Sequence, residues 1–127
     1  IEDFNQFRPI PKPHLKCNIK LSKIETAHLF NAFFETGYFY FDITNKKNYK
    51  REKIRFIESN FNYINQHGKL SNIGNIVKEF KEIESFSEVE NQIKIVETLI
   101  DKLKDIQKSL ESQVDKKTVQ KFAGNSL

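Results

Sequence analysis

From residue 85 to residue 114 apolar side chains recur at alternating steps of four and three. Val89, Ile93, Val96, Ile100, Leu103, Leu110 and Val114 mark the seam, with Gln107 polar where an apolar residue is due. That spacing predicts a helix over 85–114. Ser85 and Ser87 each stand three residues before a glutamate, Glu88 and Glu90, so either serine is placed to open a capping box. Leu99 and Ile106 widen the seam towards the broad stripe of a core-facing helix. We therefore expect Ile93, Val96, Ile100 and Leu103 to be buried in the domain. From Gln107 onward, at Gln107, Leu110 and Val114, the helix is expected to meet a partner. A lone polar residue on such a seam fixes register at a cost in stability. At 1.5 Å per residue the helix runs roughly 40 Å, longer than a compact domain of this size is wide.

The same periodicity marks other elements. Ser22 and Glu25 form a capping box, Ile24, Ala27, Leu29, Phe30, Phe33 and Phe34 form a stripe, and Gly37 stands where a helix ends, which predicts a buried helix. GYFYFDI then switches to period two, with Phe39, Phe41 and Ile43 on one side and Tyr38, Tyr40 and Asp42 on the other, which predicts a short strand over 38–43. Ile54, Ile57, Phe61 and Ile64 fall at helical spacing and predict a helix from about Tyr49 to Ser59 or beyond, with Thr44, Asn45 and Asn48 as candidate caps. The spacing of Phe61 and Tyr63 before the His67-Gly68-Lys69 turn suggests further strand over 61–70. Ile73, Ile76, Val77, Phe80 and Ile83 predict another helix over about 72–84, weakened by Gly74 in its first turn. Prolines at 9, 11 and 13 exclude helix at the start of the chain and favour an extended arm docked through Phe4, Phe7, Ile10 and Leu15, or a linker. The polar end, DKKTVQKFAGNSL, is expected to fray.

These elements define a mainly α fold: a four-helix domain with a small β-element and a long C-terminal helix. Its division is an extended Pro-rich arm over 1–18, a helical domain over 19–114 and a polar tail over 115–127. Leu, Ile, Val and Phe fill 40 of 127 positions, enough for a genuine core. With 12 Phe, no Trp and no Met, and abundant Asn, Lys and Ile, the composition has the codon habit of an AT-rich genome. The missing Met leads us to expect that Ile1 follows processing, trimming or a cut from a longer chain. No apolar run reaches the length of a membrane span, no signal-peptide pattern is present, and Cys17 is alone. A soluble protein of the reducing cytoplasm, with no membrane partner, is the expectation.

Charge changes the picture in one place. The net +4 is concentrated in the first half, and Lys46 to Arg55 holds six positive residues and one negative. Lys47, Arg51 and Arg55 follow at steps of four, with Lys46 and Lys50 beside them. Lysines and arginines on one helical face bind phosphate through charge and counterion release, so Lys46, Lys47, Lys50, Arg51 and Arg55 are the candidate nucleic-acid contacts. The competing reading is a solvated face enlarged by codon bias. The other chemistry is sparse. His14, His28 and His67 show no metal-ligand spacing. His28 is read as a surface histidine near Glu25, and Cys17 lacks an identifiable base. We expect no enzyme, no metal and no cofactor.

Three segments in order, IKLSKIETAHLFNAFFETG, INQHGKLSNIGNIVKEFKEI and LIDKLKDIQKSL, resemble the carboxy-terminal region of the RteC family of regulators of conjugative transposons and related mobile-element proteins. The likeness lies in an isoleucine entry to an amphipathic helix ending in Gly, an I-N-x-x-G-K step before I-x-x-I-V-x-x-F, and a charged L-x-x-L-K helix. It falls within residues 19–110 and skips Tyr38 to Tyr63. The resemblance implies a helical regulator of winged-helix character that binds double-stranded DNA. Two readings result: a DNA-binding regulatory module, or a helical protein–protein interaction or structural domain. In the second, the C-terminal helix is the surface for a homodimer or another protein.

Overall fold

The computed structural model describes residues 15–125, with side chains over 15–116. The prolines and the docking expected of Phe4, Phe7 and Ile10 lie outside the described residues. Among the described residues the fold is mainly helical, with four α-helices, the last of them long and C-terminal, and a three-stranded sheet. In chain order the elements are β1 (Cys17–Asn18), α1 (Lys23–Glu35), α2 (Lys46–Asn60), β2 (Phe61–Ile64), β3 (Leu70–Asn72), α3 (Val77–Glu82), a 3₁₀ turn (Phe86–Glu88) and α4 (Val89–Asn125).

Helix α1 opens as its sequence dictates. The Glu25 amide donates to Ser22 Oγ at 3.3 Å, and the Ser22 amide donates to Glu25 Oε1 at 3.1 Å, completing the capping box. Ala27 and Phe30 are buried. Gly37 adopts φ +79° just past the helix end, a conformation that costs glycine little.

The segment after it is not a strand. Strand period is present at Tyr38 to Ile43, but a strand also needs a ladder partner, and these residues pair with none of β1, β2 and β3. Phe39 and Phe41 instead fold back onto α1, with ring centroids 6.0 Å from Phe33 and Phe34 respectively. Tyr38 and Tyr40 are exposed. Asn45 then caps α2, accepting from the Lys47 amide at 2.9 Å, so the helix starts three residues ahead of the expected Tyr49.

The 61–70 part of the expected β-element is present as a hairpin. β2 runs antiparallel to β3, with Tyr63 opposite Ser71, and parallel to β1, with Cys17 opposite Phe61. Its turn is held by Asn65, whose Oδ1 accepts from the amides of His67 at 2.9 Å and Lys69 at 3.0 Å. β1 lies in the segment read as the end of the arm, and it ties that segment to the sheet.

The helix expected over 72–84 is shortened to Val77–Glu82. Its first residue, Asn72, is drawn into β3, and Gly74 at φ +58° turns the chain. Ile73, Ile76, Phe80 and Ile83 still point inward, whereas Val77, expected with them, is exposed at the start of the shortened helix. Ala27, Phe30, Ile57, Ile73, Ile76, Phe80 and Ile83 form the core, with Ile19, Ile24, Phe33, Phe34, Ile54, Phe61 and Tyr63 packed around it. Glu58 from α2 braces this junction, one carboxylate oxygen accepting from the Ile76 amide at 2.8 Å.

The long helix differs from expectation at both ends. The Ser85 and Ser87 hydroxyls lie 3.0 Å from each other, no side-chain cap forms at Ser85, and the α-helix starts at Val89. Neither capping box is used there. At the other end α4 continues past Val114 to Asn125 rather than fraying from Asp115. Lys and Gln are good helix formers, and no Pro or Gly interrupts the segment before Gly124. The helix has 37 residues, about 55 Å at 1.5 Å per residue. Among the described residues no helix is long and apolar enough to cross a membrane.

Candidate interaction surfaces on α4 and α2

Which face of α4 the domain uses decides what the rest can do. Glu88, Gln92, Ile95, Val96 and Leu99 are half-buried, and α1 packs against this first part of the helix. From Ile100 to Lys116 every residue is exposed. The seam expected in the core is therefore largely uncovered: Ile93, Ile100 and Leu103 are exposed, and only Val96 is half-buried. The correction has a geometric cause. The covered residues lie to one side of the seam, and the body is too short to follow a helix of this length. Gln107, Leu110 and Val114 are exposed, in continuity with Ile93, Ile100, Leu103 and Ile106. The exposure of the seam residues from Ile100 onward runs from 42% at Ile100 to 62% at Val114.

The basic face of α2 is also in place, but its charges are interleaved with acids. Lys50 Nζ lies 3.0 Å from Glu84 Oε1, across the gap to the end of α3. Arg55 pairs with Glu52 at 3.2 Å, and Arg51 donates to Asn48 Oδ1 at 3.0 Å. Lys53 lies over the rings of Phe34 and Tyr49, 5.4 Å from each centroid. Lys46 and Lys47 are exposed in the first turn. Lys46, Lys50 and Lys53 also line one side of an open hollow of about 630 Å³, with Glu35 and Glu84 across it. Of Arg8, Lys12 and Lys69, the residues that would extend a positive band, the first two lie outside the described residues and Lys69 is exposed in the β2–β3 turn. Thr36 to Asn45 joins α1 to α2, a longer link than the three- or four-residue turn of a helix-turn-helix.

His28 is the residue sequence reasoning misplaced most. It is 1% exposed, and neither ring nitrogen has a hydrogen-bond partner among the described residues. Its Nε2 lies 3.9 Å from Glu88 Oε1, beyond hydrogen-bond reach. The signal was its position four residues after Ile24 and next to Ala27, on the inward side of α1. Cys17 is exposed, and among the described residues no group of three His, Cys, Asp or Glu stands close enough to hold a metal. Comparison with protein-family models, with curated proteins and with solved structures gave no match.

Proposed function

We propose that this chain is a helical interaction module, in which a compact body carries α4 as a surface for pairing with another amphipathic helix. The observation that carries the reading is the uncovered seam Ile93, Ile100, Leu103, Ile106, Leu110 and Val114. Fully burying a side chain of this kind is worth about 1.5–3 kcal/mol, so covering six that are half in water offers a large driving force. Scattered exposed apolar residues need no explanation, whereas a continuous line of them marks an interaction surface. The interleaving of Glu84 and Glu52 with the basic residues of α2 also favours this reading over a continuous phosphate-binding band.

The test is site-specific photo-crosslinking in the organism that encodes the protein, with the reactive residue in place of Leu103 or Leu110 and, as control, Asp105. A discrete adduct from both seam positions and none from Asp105 is the expected result. Equal yields from all three would remove the reading.

One observation favours a second reading, the DNA-binding regulator of winged-helix character that the RteC likeness implies. The first turn of α2 carries lysines and no acidic residue, although a helix N-terminus repels cations. A phosphate there would relieve that repulsion. On this reading Lys46, Lys47 and Arg51 make phosphate contacts, and replacing all three with Ala lowers the salt dependence of duplex-DNA binding by a slope of about three. A titration at two salt concentrations in which both proteins bind weakly and without salt dependence counts against it.

A further inference from the structure

We infer that the occupant of the α4 seam is a second copy of this chain, its α4 parallel and in register. The inference rests on the helix-pairing reading above and adds to it the identity and the direction of the partner.

Alternating steps of four and three are the period of a two-stranded supercoil, kept here from Val89 to Val114, about four heptads. The order of the steps assigns Ile93, Ile100, Gln107 and Val114 to position a of each heptad, and Val89, Val96, Leu103 and Leu110 to position d. Among parallel coiled coils, β-branched residues at a with Leu at d favour two strands, and the open part of the seam has Ile100 and Val114 at a with Leu103 and Leu110 at d. The seam passes to Lys117 and Lys121 by sequence, so the apolar part stops at Val114.

Gln107 and the body decide the direction. In a parallel pair Gln107 meets its counterpart, and two carboxamides can donate and accept across the interface. In the antiparallel pair that aligns the whole seam, Gln107 lies opposite Val96 of the second copy, twice, and each buried amide is left without a partner. Val96 is also already half-covered by the body, whereas Ile100 to Val114 extends beyond it and is open. Charge points the same way. The positions flanking the seam on one side are Gln92, Leu99, Ile106 and Gln113, all uncharged, and on the other Glu90, Glu97, Lys104 and Glu111. Parallel pairing sets the first row against the second, and no like charges meet. Antiparallel pairing sets Glu90 against Glu111 at both ends, which the two Glu97–Lys104 contacts only offset. The body covers Gln92, Ile95 and Leu99, but from Ile100 onward both flanks, Lys104 and Glu111 on one side and Ile106 and Gln113 on the other, are exposed, so the outer half of the seam is free for a parallel partner.

The experiment uses the full chain. Sedimentation equilibrium over a wide concentration range should show twice the chain mass, falling to one on dilution. Leu103→Asp should be monomeric throughout while the body keeps its unfolding transition, because Leu103 is exposed in the single chain. In a Cys17→Ser background, Gln107→Cys should form a disulfide with its counterpart under mild oxidation. A mixture of tagged Val96→Cys and Gln107→Cys chains should give no cross-product. A chain monomeric at every concentration, a dimer that survives Leu103→Asp, or an efficient Val96–Gln107 cross-product would each overturn the proposal. Photo-crosslinking from Leu103 separates its failure from that of the broader reading. A monomeric chain with an adduct of another mass removes only the second copy, and a monomeric chain with no adduct removes both.

Discussion

Ile57, in the core of the body, and His28, on the side of α1 facing Glu88, are both buried, and they contribute in opposite directions. Ile57 is completely covered among Ala27, Ile73 and Ile76, so Ile57→Ala should cost about 2–5 kcal/mol in a denaturant titration. Phe86, 93% exposed, is a control of larger size: Phe86→Ala should change stability by less than about 0.5 kcal/mol. His28 has two buried ring nitrogens without partners among the described residues, and an unmet buried polar group costs about 1–3 kcal/mol. His28→Leu should therefore leave the protein as stable as before or raise it by about 1 kcal/mol. A loss comparable to that of Ile57→Ala would show that the ring is held by bonds the side chain makes in solution. Sequence spacing identified Ile57 because isoleucine has one use on an inward face. It misplaced His28 because histidine is at home on either side of a helix, and Glu25 one turn earlier offered a surface partner that in the fold caps Ser22 instead.

At the level of elements, local signals held where the chemistry closed within a few residues. The Ser22–Glu25 box needs nothing beyond its own turn, and it forms. Ser22→Ala should cost about 1 kcal/mol, whereas Ser85→Ala, at a serine that caps nothing, should cost less than half of that in the same thermal melts. Equal losses would mean that Ser85 caps α4 after all. The signals that failed depended on distant partners. Alternation at Tyr38 to Ile43 is a strand pattern, but Phe39 and Phe41 pack on Phe33 and Phe34 of α1 and the segment joins no ladder. β1 itself is two residues long, too short to leave a period. Ile73 and Ile76 were correctly placed inward even though the helix assigned to them begins only at Val77, because burial follows side-chain chemistry and helix length follows hydrogen bonds. The basic face of α2 was legible as composition. Its pairing with Glu84, 34 residues away, was not.

For the whole molecule, α4 divides into two regimes that a single amphipathic pattern concealed. Its seam was legible, and whether the domain or another helix covers it was not, since both uses leave the same apolar spacing. Amide hydrogen exchange separates the regimes. Amides from Gln92 to Leu99 lie where α1 packs, so they exchange when the body opens, close to global stability. Residues from Ile100 to Lys116 are all exposed in the single chain. Helices that rely on their own hydrogen bonds are marginal in water and fray on fast timescales. In dilute solution the second group should therefore lose protection by orders of magnitude relative to the first. With rising concentration, pairing along the seam adds its free energy to every opening that must break it, so protection from Ile100 to Val114 should climb while that of Ile57 and Phe80 in the body changes far less. Leu103→Asp should hold the second group unprotected at all concentrations. Protection there that is high at the lowest concentration and indifferent to Leu103→Asp would mean that the outer half of α4 is covered by its own body.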